Sequence, residues 1–177
     1  MKVIVRDSKV EGSMTLEEFN RLEAEEAGAM IRPCLDVDRW VRAVVEARPY
    51  RDVEACTVAA RQAAHPLRPE EIEAALAQHP RIGERREGAS AEARHSSREQ
   101  AGLGDADAAV EERLAAGNAA YEERFGRVFL IRAAGRDHRE ILAELERRLR
   151  QDPEDELAEV GEQLEQIAAL RLEGLLR

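Results

Sequence analysis

Apolar residues recur every three or four positions along most of this sequence, and that spacing constrains the fold more than any other feature. One such stripe, near the C-terminus, consists of Leu157, Val160, Leu164 and Ile167, and another consists of Ile141, Leu142, Leu145 and Leu149. This spacing places the side chains on one face of an α-helix. Aromatic residues make up only 3% of the chain, so aliphatic side chains must fill the core, which favours helices packing on helices. We predict an all-α fold, a single compact domain of several helices.

Capping residues and prolines predict where the helices begin and end. The predicted starts are Thr15, Asp36, Asp52, Pro69, Ser90, about Asp105, and Pro153. The helix opened by Asp36 should stop before Pro49, and the helix that begins at Pro69 should end near His79, because proline disfavours helical geometry in the residue before it. The apolar run at residues 128–131 is too short for its spacing to distinguish an extended chain from a helix.

Length and charge limit the organisation and the partners of the chain. Its 177 residues fit one domain, which we place at residues 14–177 after a tail or short strand at residues 1–13. A net charge of −10 argues against nucleic acid and against an anionic membrane as partners. The two cysteines make neither a disulfide framework nor a Cys-rich zinc site. No apolar run approaches the roughly 20 residues of a membrane span, and we expect a cytoplasmic protein.

Polar residues interrupt two of the apolar faces. The last stripe continues to Arg171, and Asn118 lies among apolar residues of the helix that ends near Phe125. A guanidinium on a core-facing side is costly unless it is paired or meets an anion. Taken alone, each residue is more often a satisfied structural group than a functional one, so both interpretations stay open at this point.

A histidine and a polar helix face are the other candidates for chemistry. His79 stands before Pro80 at a helix end, so its backbone is held and its ring can be aimed. Ser96, Glu99 and Gln100 are spaced to share one helix face. The alternatives are a histidine that only favours the helix dipole and a face that only meets solvent. A metal-dependent hydrolase that uses His79, His95 and Glu99, and a non-catalytic helical binding module, are the competing functions.

Together these segments resemble the family of 2-oxo-4-hydroxy-4-carboxy-5-ureidoimidazoline (OHCU) decarboxylases. Residues 79–84 read His-Pro-Arg-Ile-Gly-Glu and residues 96–103 read Ser-Ser-Arg-Glu-Gln-Ala-Gly-Leu, which match two signature stretches of that family. The spacing of Asn118, Tyr121 and Phe125-Gly126, followed by Phe-Leu-Ile at residues 129–131, is similar to a third. The resemblance extends over nearly the whole chain from about residue 14.

The resemblance implies a carboxy-lyase that follows urate oxidase and hydroxyisourate hydrolase in urate degradation and leaves (S)-allantoin. It also implies a homodimer that needs no metal or organic cofactor. By position, His79 matches the catalytic histidine and Glu99 matches its acidic partner. The positions that match substrate contacts are Pro80, Ser96, Ser97, Arg98, Gln100, Phe129, Leu130, Ile131, Arg132, Ala133 and Arg171.

The sequence departs from the family pattern beside the third stretch. Arg127 and Val128 stand before Phe129, where an aromatic residue and a proline are usual, and Ala134 stands where a basic residue is common. These departures fall on the expected wall of the pocket, and they leave His79, Glu99 and Arg171 unchanged.

We expect His79→Asn to abolish OHCU decarboxylation, because an amide does not titrate near neutrality and a histidine does. The measurement is turnover of OHCU, with the helical circular dichroism spectrum as the control for folding. Full activity of the folded variant would contradict the catalytic role of His79.

Overall fold

The computed structural model describes residues 14–77 and 108–176. Within these residues the chain forms eight α-helices and one 3-10 helix. The α-helices are α1 (Leu16–Arg21), α2 (Ala24–Ile31), α3 (Asp38–Glu46), α4 (Val53–Ala64), α5 (Pro69–Leu76), α6 (Ala108–Phe125), α7 (His138–Arg148) and α8 (Pro153–Leu175), and the 3-10 helix spans Arg32–Cys34. None of the described helices is long and apolar enough to cross a membrane. The expectations for residues 1–13 and for the helix at Ser90 lie outside the described residues.

Local capping explains most of the helix starts, as predicted. Thr15 and Glu18 form the capping box of α1: the Glu18 amide donates to Thr15 Oγ1 at 3.2 Å, and the Thr15 amide donates to Glu18 Oε2 at 2.8 Å. Asp52 caps α4 by accepting from the Ala55 amide at 2.7 Å. Proline occupies the first turn of α5 and of α8. These four starts are confirmed.

The predicted cap of α3 is wrong. The N-cap is Val37, without a side-chain hydrogen bond, because the Asp36 carboxylate pairs instead with Arg32 Nη1 at 2.6 Å. The helix does end before Pro49, at Glu46.

A break between α1 and α2 was not predicted. Leu22 and Glu23 leave the helical conformation, and Arg48 Nη1 donates to the carbonyls of Phe19 and Leu22 at 2.6 and 2.9 Å. Carbonyls in the last turn of a helix have no partner within it, so this distant arginine stabilises the end of α1.

The first of two hydrophobic clusters unites α1–α5 with α8. Trp40 is fully buried there and donates from Nε1 to the Ala60 carbonyl at 2.9 Å. The stripe of α8 packs into the same cluster through Val160, Leu164 and Ile167. The predicted core-facing side of the last helix is therefore confirmed.

The second cluster contains α6, α7 and part of the chain between them. The rings of Phe125 and Phe129 lie 4.7 and 5.2 Å from the ring of Tyr121. Helices α6 and α7 approach closely at Gly117, where a Cβ atom would stand 2.7 Å from Leu145 Cδ2. A larger residue at this position would require the buried side chain of Leu145 to shift.

Residues 128–133, which we call the crossing segment, run between the two clusters. Val128 and Leu130 pack with the first cluster, whereas Phe129, Ile131 and Ala133 belong to the second. Side chains that alternate between two sides are typical of an extended chain, and the segment forms no helix or strand with the described residues. The conformation that the sequence left open is thus extended.

A buried network of hydrogen bonds and one ion pair connects the two clusters. Arg148 and Glu156 are both completely buried, and Arg148 Nε lies 3.0 and 3.1 Å from the two Glu156 carboxylate oxygens. Arg148 Nη1 donates to the Leu130 carbonyl at 2.8 Å, and the Tyr121 hydroxyl donates to Glu156. Burial and the bond to Glu156 both raise the pKa of Tyr121, so its hydroxyl stays protonated and remains a donor.

We expect Glu156→Ala to lower the free energy of unfolding by about 3–5 kcal/mol, because it leaves the Arg148 charge buried without its partner. Urea denaturation measures the change. Glu154→Ala is the matched control in the same turn of α8, where the side chain is exposed, and it should cost less than about 1 kcal/mol. Similar losses in both variants would contradict the structural role of the network.

Candidate active site

The structure describes only part of the predicted site. The catalytic pair His79 and Glu99 lies outside the described residues, and so do the substrate-binding candidates Pro80, Ser96, Ser97, Arg98 and Gln100. Their roles stay predictions. The described candidates are Phe129, Leu130, Ile131, Arg132, Ala133 and Arg171.

Arg171 lies on the buried face of α8, as its register in the apolar stripe predicts. It is 6% exposed, and its Nη1 lies 3.5 Å from the Pro33 carbonyl of the 3-10 helix. Buried Gln163 and Ile167 precede it at intervals of four residues, so these three side chains share one face of the helix. The guanidinium therefore lies on the buried face of α8, with one hydrogen bond to the 3-10 helix.

Several backbone groups of the crossing segment are hydrogen-bonded within the fold. Three of its polar groups are engaged: the Leu130 carbonyl accepts from Arg148 at 2.8 Å, the Arg132 amide donates to Gln163 Oε1 at 2.9 Å, and the Ala133 carbonyl accepts from the Arg136 amide at 3.0 Å. Among the described residues, none forms a hydrogen bond with the backbone N–H or C=O of Ile131. Within the described residues, both backbone groups of Ile131 are therefore without a hydrogen-bond partner.

The two arginines of this region are bound to neighbouring elements. Arg132 donates from Nε to Gln166 and from Nη1 to the Ala134 carbonyl, both at 3.2 Å. Arg127, one of the departures from the family pattern, pairs with Glu73 of α5 at 2.9 Å. The Arg132 side chain therefore contacts α8, and the Arg127 side chain contacts α5.

The remaining polar candidates lie at half-buried or exposed positions. Asn118 is half-buried on α6 and His138 is half-buried in the first turn of α7. His65 is exposed, with Nδ1 3.1 Å from a Glu165 carboxylate oxygen. Burial raises the pKa of Glu165, although the bond to His65 opposes the shift.

No metal-binding cluster of three or more His, Cys, Asp or Glu residues occurs within residues 14–77 and 108–176. Cys34 and Cys56 are buried and form no disulfide. Burial raises the pKa of the Cys56 thiol to about 12, so it is neither a thiolate ligand nor a nucleophile near neutral pH.

Sequence reasoning missed three residues that shape this region: Arg148, Glu156 and Gln163. A signal was present, because each stands in register with an apolar stripe. Arg148 follows Ile141 and Leu145 on α7, and Glu156 precedes Val160 by one turn of α8. Their partners come from other helices, however, and the sequence does not show which helices meet.

Comparison with known proteins gives a consistent result. The family model described as OHCU decarboxylase matches residues 20–173. A crystal structure of OHCU decarboxylase in the presence of (S)-allantoin is 24% identical, covers 88% of this chain and 99% of its own, and superposes with a TM-score of 0.66.

A crystal structure of (S)-allantoin synthase is 17% identical, with a TM-score of 0.67, over 93% of this chain and 54% of its own. The present chain therefore spans about half the length of that protein. None of the curated protein sequences matches the chain. At these identities the two structures establish the shared fold.

Proposed function

The chain belongs to the OHCU decarboxylase family, and we propose that it binds OHCU between Arg171 and the crossing segment and removes its carboxylate. The enzyme is a carboxy-lyase of urate degradation. The observation that carries the proposed site is the buried guanidinium of Arg171, which stands on the face of α8 that also carries the apolar stripe.

Arg171 supplies the positive charge that an anionic substrate requires. The protein as a whole carries a net charge of −10, which repels anions at long range. A guanidinium presents its donors in a planar fork that matches a carboxylate. In a partly buried setting this attraction is screened less than it is at the surface, so one arginine suffices to hold the substrate.

Decarboxylation of OHCU requires no electron sink beyond the substrate itself. The bond between the ring carbon and the carboxylate carbon breaks, carbon dioxide leaves, and its bonding electrons move into the adjacent imine and carbonyl. A proton then adds to the neighbouring, ureido-bearing ring carbon from one face, and the hydroxyl on the carbon that lost the carboxylate gives up its proton to become the ring carbonyl of (S)-allantoin. We assign that proton delivery to His79, and we assign to Glu99 the orientation of the histidine or the binding of ureido N–H groups.

The other proposed contacts follow from the family resemblance. Pro80 and the polar face at Ser96, Ser97, Arg98 and Gln100 complete the binding of the ureido group and the ring. Urate oxidase and hydroxyisourate hydrolase supply the substrate, and the active form is a cytoplasmic homodimer without a bound cofactor.

We expect Arg171→Leu to raise the KM for OHCU at least about tenfold, because it removes a charged hydrogen bond to the substrate. The fold should be as stable as the wild type or more stable, since leucine continues the apolar stripe and relieves a buried charge. Steady-state kinetics and urea denaturation measure the two effects. Arg150→Leu, at an exposed position, is the control. A destabilised variant with normal KM would make Arg171 purely structural.

The function itself is tested by generating OHCU in place from urate with urate oxidase and hydroxyisourate hydrolase and then adding this protein. We expect rapid growth of the circular dichroism signal of (S)-allantoin, unaffected by EDTA. Slow decay to racemic allantoin, as in the absence of enzyme, would overturn the proposed function. Loss of activity in EDTA that zinc restores would favour the metal-dependent alternative instead.

A further inference from the structure

We propose that Gln163 is a positioning residue, which together with Arg148 presents the backbone N–H and C=O of Ile131 to the cyclic amide of the substrate. The identity of that substrate rests on the proposed function. The orientation of the backbone rests on hydrogen bonds within the described residues.

The buried side-chain amide of Gln163 forms a hydrogen bond with the backbone of the crossing segment, not with a side chain. It is 7% exposed on α8, and its Oε1 accepts from the Arg132 amide at 2.9 Å. A glutamine at a core-facing position is unusual, because its amide must be hydrogen-bonded to offset the loss of water. Here the bond fixes one peptide unit of the crossing segment.

The two peptide units that flank Ile131 are each fixed by a different buried side chain. Gln163 binds the N–H of the unit between Ile131 and Arg132, and Arg148 binds the C=O of the unit between Leu130 and Ile131 at 2.8 Å. Both units are trans, since the cis bonds among the described residues precede Pro49 and Pro66. In a trans peptide the N–H and C=O point in opposite directions.

It follows that the Ile131 C=O points away from Gln163 and the Ile131 N–H points away from the guanidinium of Arg148. In an extended chain the N–H and C=O of one residue lie on the same side. Ile131 thus offers a neighbouring donor and acceptor on one edge of the segment. A cyclic amide, in which N–H and C=O are held on the same side, is the complementary group.

The same helix supplies the anchor for the segment and the charge for the anion. Gln163 and Arg171 lie on one buried face of α8, eight residues apart, which corresponds to roughly 12 Å along the axis at 1.5 Å per residue. Two side chains on one rigid element keep their relative positions better than residues on separate loops. This arrangement suits a site that must hold both a ring and its carboxylate.

Two glutamines of α8 allow a matched test. Gln163 binds the backbone of Arg132, whereas Gln166 binds its guanidinium. Gln163→Met removes the acceptor oxygen at nearly constant volume, and Gln166→Met makes the same change three residues further along α8. Gln163→Glu keeps an acceptor oxygen at the same distance from α8.

For Gln163→Met we expect kcat/KM for OHCU to fall about tenfold, mostly through KM, because the ring amide is bound in both the ground state and the transition state. Gln166→Met should change kcat/KM less than about twofold, and Gln163→Glu should recover most of the loss. Equal effects of the two methionine variants, or a lower melting temperature for Gln163→Met with unchanged KM, would overturn the proposal. So would a Gln163→Glu enzyme no better than Gln163→Met.

Nuclear magnetic resonance of the labelled full chain separates this inference from the proposed function. The Arg132 amide should exchange with solvent faster in Gln163→Met than in the wild type, and the Ile131 amide signal should shift when (S)-allantoin is added to the wild type only. If both results are found but the protein does not turn over OHCU, the proposed function is refuted and the positioning role is retained. Turnover of OHCU without a shift of the Ile131 amide signal on addition of (S)-allantoin would refute only the positioning role.

Discussion

The ion pair between Arg148 and Glu156 is the interaction on which the rest of the described structure depends. It is completely buried, and a charge in that position is tolerated only when a partner and further hydrogen bonds surround it. Burial would lower the pKa of Arg148, but the bonds to Glu156 raise it above its ordinary value, so the arginine stays charged. Its Nη1 donates to the Leu130 carbonyl. The core of the α6–α7 pair, the start of α8 and the crossing segment therefore meet at one point.

Helix α8 connects this ion pair to the proposed site. Its buried face carries Glu156, Gln163 and Arg171 among aliphatic residues, and each polar group has a different task. Glu156 fixes the ion pair, Gln163 fixes the backbone of the crossing segment, and Arg171 remains as the proposed anchor for the substrate carboxylate. The wall of the proposed site is extended main chain, so the side chains of Arg127 and Ala134 do not form the edge that Ile131 presents.

The sequence was sufficient for what depends on neighbouring residues. Helix starts at Thr15, Asp52, Pro69 and Pro153 follow from local capping, and the burial of Arg171 follows from helical spacing. The sequence was insufficient where distant residues decide the outcome. Contacts such as Arg48 at the end of α1, Asp36 with Arg32, and Gln163 with the crossing segment require tertiary structure. The predicted catalytic roles of His79 and Glu99 rest on the family resemblance, because a histidine before proline and polar residues at helical spacing are common features without function.

In the proposed site, buried side chains hold the backbone of Ile131 as a donor and an acceptor for a cyclic amide, and Arg171 binds the anion. A crystal structure with (S)-allantoin bound tests it most directly. We expect ring N–H and C=O groups of the ligand within hydrogen-bond distance of the Ile131 backbone, with Gln163 still bonded to the Arg132 amide and Arg171 lining the same cavity. A ligand bound elsewhere, or an Ile131 peptide turned toward α8, would contradict it.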